Sequence, residues 1–119
     1  MNVLIVDECE ELRTALSILL LMKGYTVFES GNGKNALNIL REANTNFELL
    51  LADFKTPGMT GTELIKEIII LKLKVQKIVV LSSMANDEQH LESLMSNNSH
   101  IKFLHKMTTT DKLLTFIEQ

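Results

Sequence analysis

The chain has 119 residues, of which 45% are hydrophobic and 23% charged, and it carries a formal net charge of −3. That suffices for one domain with its own core, residues 1–119, and is too apolar for a disordered segment. Twelve basic residues against fifteen acidic ones leave no cationic surplus for gripping a phosphate backbone, which argues against direct nucleic-acid binding.

Val3-Leu4-Ile5-Val6 is the first predicted strand, apolar on both faces as in a parallel sheet covered by helices on each side. Leu12, Ala15, Leu16, Leu19 and Leu20 then mark one face of a first helix. Thr26 to Glu29 form the second strand, and Ala36, Leu37, Leu40 and Ala43 stripe the second helix. Leu49-Leu50-Leu51-Ala52 is the third strand. Pro57 and Gly58 interrupt the chain after it. Thr60 with Glu63 is an N-terminal capping pattern for the third helix, striped by Leu64, Ile65, Ile68, Ile69 and Leu71. Ile78-Val79-Val80-Leu81 is the fourth strand. Asn86 with Gln89 repeats the capping pattern ahead of Leu91, Leu94 and Met95, the fourth helix. Ile101 to Leu104 and then Leu113, Leu114 and Ile117 supply the last strand and helix. Five β-α units joined by right-handed crossovers predict an α/β doubly wound parallel sheet.

Such sheets bind ligands beyond the carboxyl ends of their strands. Asp7 and Glu8 follow the first strand, Asp53 the third, Ser82 and Ser83 the fourth, and Lys106 the fifth. Carboxylates gathered at ~4 Å repel by about 4 kcal/mol per pair at an effective dielectric near 20. A cluster of this kind persists only with a cation among its members or with protons shared between them, and a hard divalent ion with oxygen ligands, magnesium above all, suits a site that also takes a phosphate. Lys106 and the Ser82 hydroxyl are then placed for phosphoryl oxygens, with a carboxylate as nucleophile.

Taken in order, Val3-Leu4-Ile5-Val6-Asp7-Glu8, Leu50-Leu51-Ala52-Asp53 with Pro57-Gly58-Met59-Thr60-Gly61, Val80-Leu81-Ser82-Ser83 and Phe103-Leu104-His105-Lys106 resemble the receiver domain of two-component response regulators. The resemblance runs the whole chain and implies a flavodoxin-like five-stranded (βα)5 sheet of order 2-1-3-4-5. It further implies that Asp53 is the phosphoacceptor for a histidine kinase or phosphotransfer protein. Asp7, Glu8, Asp53 and the backbone carbonyl of Lys55 would hold magnesium, and Ser82 and Lys106 would contact the phosphoryl group. Phe103 would report the switch to the surface of the fourth helix, fifth strand and fifth helix. An effector protein or domain is the implied downstream partner, and a homodimer through that same surface is one implied arrangement. A domain of this kind is a phosphoacceptor rather than an enzyme, with at most self-phosphorylation and self-dephosphorylation.

Several positions depart from the family's pattern. Glu8 stands where Asp is more frequent, and magnesium's strict octahedron is sensitive to one extra methylene. Met107 follows Lys106 where proline is usual, and a cis bond without proline costs roughly 3 kcal/mol, so a trans peptide is expected. Thr56 and Thr60 replace a frequent methionine and aspartate, and Lys55 places a cation at the rim. These departures keep an alternative open: a pseudo-receiver, the same fold serving as a constitutive interaction module. A small phosphohydrolase is a third reading, although no second general acid is evident beside Asp53.

Other features have plainer explanations. Gly31-Asn32-Gly33-Lys34-Asn35-Ala36 matches a dinucleotide-binding fingerprint, but its preceding strand is short and expected at the sheet edge, so a loop tolerant of glycine is the better account. His90, His100 and His105 lack ligand spacing for zinc. The longest apolar run, Ile18 to Met22, is far short of the ~20 residues of a membrane span. The acidic residues at positions 7, 8, 10 and 11 are incompatible with the apolar core of a signal peptide. A lone cysteine, Cys9, forms no internal disulfide and suits a cytoplasmic setting. Whether the chain stands alone or belongs to a longer regulator is left open.

Overall fold

The computed structural model describes residues 1–42, 46–106 and 110–118, without the side chains of residues 85, 86 and 110. Ala43 and Met107, and with Met107 the expected trans peptide, lie outside the described residues, as does the capping side chain of Asn86. The elements alternate as expected. They are β1 (Asn2–Val6), α1 (Glu10–Met22), β2 (Thr26–Ser30), α2 (Gly33–Glu42), β3 (Phe47–Asp53), α3 (Gly61–Ile70), β4 (Val75–Ser82), a 3-10 segment (Ala85–Leu91), α4 (Glu92–Asn97), β5 (Ile101–His105) and α5 (Thr110–Glu118). All strand pairs are parallel and the sheet order is β2-β1-β3-β4-β5, with β2 at an edge.

Two cores follow from the period of two along each strand. Leu4, Val6, Leu50, Ala52, Ile78 and Val80 face α2, α3 and the 3-10 segment, where Leu37, Leu64, Ile65 and Leu91 meet them. Val3, Ile5, Leu49, Leu51, Val79 and Leu81 face the other way, onto Leu16 and Leu20 of α1 and Leu113 and Ile117 of α5. Fully burying one such leucine or isoleucine contributes about 1.5–3 kcal/mol, which explains why strands apolar on both sides are stable only inside this sandwich. The alternation continues past the strands. Asp7 and Asp53 follow Ile5 and Leu51 on the α1/α5 face, while Ser82 follows Val80 on the opposite one.

α3 starts with the expected reciprocal cap, in which the Thr60 hydroxyl accepts from Glu63 N–H and the Glu63 carboxylate accepts from Thr60 N–H. Gly58, at φ +76°, turns the chain into it through the left-handed region that glycine enters without strain. The fourth helix differs from expectation. A 3-10 turn with Met84 at its cap position begins at Ala85, and only Glu92–Asn97 is α-helical. The tighter i→i+3 winding accompanies two buried anchors, Asp87 near its start and Leu91 at its end. α4 itself contributes no buried residue.

Candidate functional site at the strand tips

β1 and β3 lie side by side, with Val6 opposite Ala52, so the residues just beyond them share one end of the sheet. Asp7 is only 2% exposed, and its backbone N–H extends the ladder to Ser30 O at 3.0 Å. β5 arrives from the other side through Lys106, whose N–H donates to Ser82 O at 2.8 Å. The Lys106 ammonium stands between the two acids, 3.2 Å from Asp7 Oδ2 and 3.1 Å from Asp53 Oδ1. Burial by itself would lower the Lys106 pKa. The hydrogen bond and charge of Asp53, joined by the charge and hydrogen bond of Asp7, outweigh it and hold the ammonium above its ordinary range.

This geometry corrects one expectation. The repulsion between Asp7 and Asp53 is relieved by Lys106 of the chain itself, so a bound ion is not the only cation that can do it. Nor do all three acids converge. Glu8, the next residue after Asp7, is exposed, because successive side chains at a strand end point to different sides. Among the described residues no three His, Cys, Asp or Glu side chains are grouped to hold a metal. Two carboxylates still flank Lys106, and among the described residues the buried Asp7 Oδ2 meets only that ammonium. Asp7 Oδ1 accepts from Cys9 N–H at 2.8 Å. An all-oxygen donor set with an under-used buried oxygen fits a hard divalent ion.

Of the remaining predicted residues only Lys55 touches this pair among the described residues. Lys55 is exposed two residues past Asp53, and its backbone N–H donates to Asp53 Oδ1 at 3.4 Å. Ser82 is 2% exposed at the end of β4. Its hydroxyl accepts from Met84 N–H at 3.1 Å and donates to the Asp87 carboxylate. Phe103, opposite Val80, is partly buried against the core that α2 and α3 cover. The glycine-rich stretch is explained by packing. A side chain on Gly33 would lie 2.8 Å from Met59 O and 2.9 Å from Met59 Cβ, so α2 starts hard against the loop that follows Asp53. Thr56, buried in that loop, donates its hydroxyl to Met59 O.

Two participants escaped the sequence reading. Arg13 of α1 donates from Nη1 to Asp7 O at 2.7 Å and from Nε to Glu29 Oε1 at 3.2 Å, fastening the β1 tip to β2. Its position one turn into the helix after the acidic pair was the available signal. Asp87 is the other, and nothing local marks it apart from its acidic neighbours.

Comparison with known proteins agrees with this arrangement. The family model described as response regulator receiver domain matches residues 3–118. Sporulation initiation phosphotransferase F of Bacillus subtilis is 32% identical over 79 residues, 66% of this chain and 62% of that protein. Chemotaxis protein CheY of Pseudomonas aeruginosa is 32% identical over 95 residues, 78% of this chain and 75% of that one. Of several longer curated relatives the matched segment spans 14 to 36%. The structure of response regulator TrrA from Thermotoga maritima in complex with Mg2+ and BeF superposes with a TM-score of 0.80 at 26% identity, covering 98% of this chain and 96% of that one.

Proposed function

This chain belongs to the family of response regulator receiver domains, and from that premise we propose that it takes a phosphoryl group on Asp53 from a histidine kinase or phosphotransfer protein. The observation that carries the reading is the ammonium of Lys106 held between Asp7 and Asp53 at 3.2 and 3.1 Å. An Asp53 oxygen attacks phosphorus, the N–P bond of the donor phosphohistidine breaks, and the imidazole leaves with the bonding pair. Lys106, already in contact with Asp53, shifts to a phosphoryl oxygen without leaving its place on β5. Asp7 lies under the site on the far side of Lys106, and Asp7 and Asp53, with Glu8 and the Lys55 carbonyl at the rim, are the residues that would hold magnesium. When bound, that ion neutralises charge on the transferring oxygens. The Mg2+ and BeF bound by TrrA support magnesium as the ion this site would take.

The acyl phosphate adds about two negative charges beside Lys106. Ser82 then turns toward it, the loop after β4 follows, and Phe103 packs into the space vacated. The α4–β5–α5 face changes as a result, helped by an α4 with no buried residue of its own. The output is the affinity of an effector protein or domain, and the chain works as a phosphoacceptor in the cytoplasm rather than as a turnover enzyme. Among the described residues no helix is long and apolar enough to cross a membrane.

Incubation with acetyl phosphate and magnesium, followed by intact mass, tests this. One phosphoryl group per chain is expected, absent in Asp53→Asn. A wild type inert to acetyl phosphate and beryllofluoride would instead make the chain a pseudo-receiver, and rapid multiple turnover of a small phosphate ester would make it a hydrolase.

A further inference from the structure

The Ser82 hydroxyl is already engaged in the unmodified protein. It donates to the carboxylate of Asp87, five residues on, and that carboxylate is itself buried at 8% exposure. The same oxygen accepts from Met84 N–H at 3.1 Å, Met84 O is a second, longer acceptor for it at 3.4 Å, and Asp87 N–H donates to Met84 O at 3.3 Å, so the turn from 82 to 87 is wound about one hydroxyl whose charged acceptor is Asp87. A serine hydroxyl has a single proton to donate. While that proton lies on Asp87 it is not available to another acceptor, and a carboxylate beside it repels an approaching phosphoryl oxygen. The segment is fixed at its far end by the fully buried Leu91. The His90 ring lies 6.0 Å from that of Phe54, the residue after Asp53.

We propose that Asp87 is a positioning residue for Ser82: its carboxylate holds the hydroxyl and the loop after β4 in the unmodified arrangement, and Ser82 reaches a phosphoryl group on Asp53 only by exchanging this hydrogen bond for a new one. The proposal rests on Asp53 being the phosphoacceptor. One charge-assisted hydrogen bond is given up for another of the same kind, so the exchange is close to balanced and Asp87 sets how readily it occurs.

Beryllofluoride with magnesium serves as the probe because it needs no kinase. Its binding to the full chain is titrated by amide NMR for wild type, Asp87→Asn, Asp87→Ala, Ser82→Ala and the Ser82→Ala/Asp87→Ala double variant. Removing a charged competing acceptor tightens binding in Asp87→Ala by about tenfold, the scale of one such hydrogen bond. Asp87→Asn, with a weaker acceptor of the same shape, falls between, and it carries the comparison if Asp87→Ala does not fold. In the Ser82→Ala background the Asp87→Ala change has no effect, since no hydroxyl remains to be released. Equal affinity in wild type and both Asp87 variants overturns the proposal. So does an Asp87 effect that persists without the Ser82 hydroxyl, which is what a purely structural role would give. Failure of the phosphoacceptor reading looks different: wild type itself does not bind, or Asp53→Asn binds equally well, and the proposal falls with it.

Discussion

Replacing Lys106 with methionine keeps the aliphatic stem and removes the charge that two acids share. Each contact, at 3.1 and 3.2 Å, is worth about 5 kcal/mol in Coulomb energy at an effective dielectric of 20. Desolvation of the three groups consumes most of that sum, and removing one partner of a buried pair typically costs about 3–5 kcal/mol. The Lys106 side chain is 22% exposed, so the lower end, about 3 kcal/mol, applies. The two carboxylates left behind lie within reach of one vacated position and repel by a similar amount at ~5 Å. With an unfolding entropy of about 2.1 cal/mol/K per residue, Lys106→Met melts about 10 °C below wild type when followed by circular dichroism at pH 7 with a chelator present. Magnesium then restores more stability to the variant than to wild type, because the ion no longer competes with an ammonium for the same oxygens. A melting point within about 2 °C of wild type, or equal stabilisation of both proteins by magnesium, refutes the reasoning.

Two other perturbations test the surroundings. Gly33→Ala places a methyl group 2.8 Å from Met59 O and 2.9 Å from Met59 Cβ; it lowers the urea-unfolding free energy by about 1–3 kcal/mol, the usual cost of overpacking, and a neutral or stabilising result shows that the loop yields freely. Alkaline pH acts through Lys106 and Tyr25, both raised from ordinary values of 10.5 and 10.0. For Tyr25 the cause is burial, followed by the charges of Glu118 and Glu48. A group whose pKa is raised on folding stabilises the fold below its unfolded value and loses that contribution as pH rises through the folded one. Stability is therefore flat on their account below about pH 10 and falls above it. Chemical denaturation across pH 9 to 12 checks this, with a shallower fall expected in Lys106→Met; a parallel fall in the two proteins contradicts the role given to Lys106.

The strands were legible because their signal is local. Val3–Val6, Leu49–Ala52 and Ile78–Leu81 are apolar at every position, which only a sheet covered on both faces accommodates, and the β-α alternation then leaves few topologies. The same rule points to the strand tips, where the structure joins Asp7, Asp53 and Lys106. The fourth helix was less legible because a capping pattern is equally local: the turn begins at Ala85 with Met84 at its cap position, and Asp87 and Leu91 are its buried anchors.

What belonged to tertiary structure alone was who meets whom. Residue types showed that acids would gather, but not that Lys106 would stand between two of them while Glu8 faced outward, nor that Arg13 would reach the carbonyl of Asp7. Asp87 looks in the chain like any acid in a helix's first turn, and only the packing of that turn against the end of β4 puts its carboxylate on Ser82. The division has a physical cause. Periodicity records how each residue partitions between water and a core, a property of short stretches. Ion pairs and side-chain hydrogen bonds depend on ångström-scale distances between segments that the chain's own order leaves far apart.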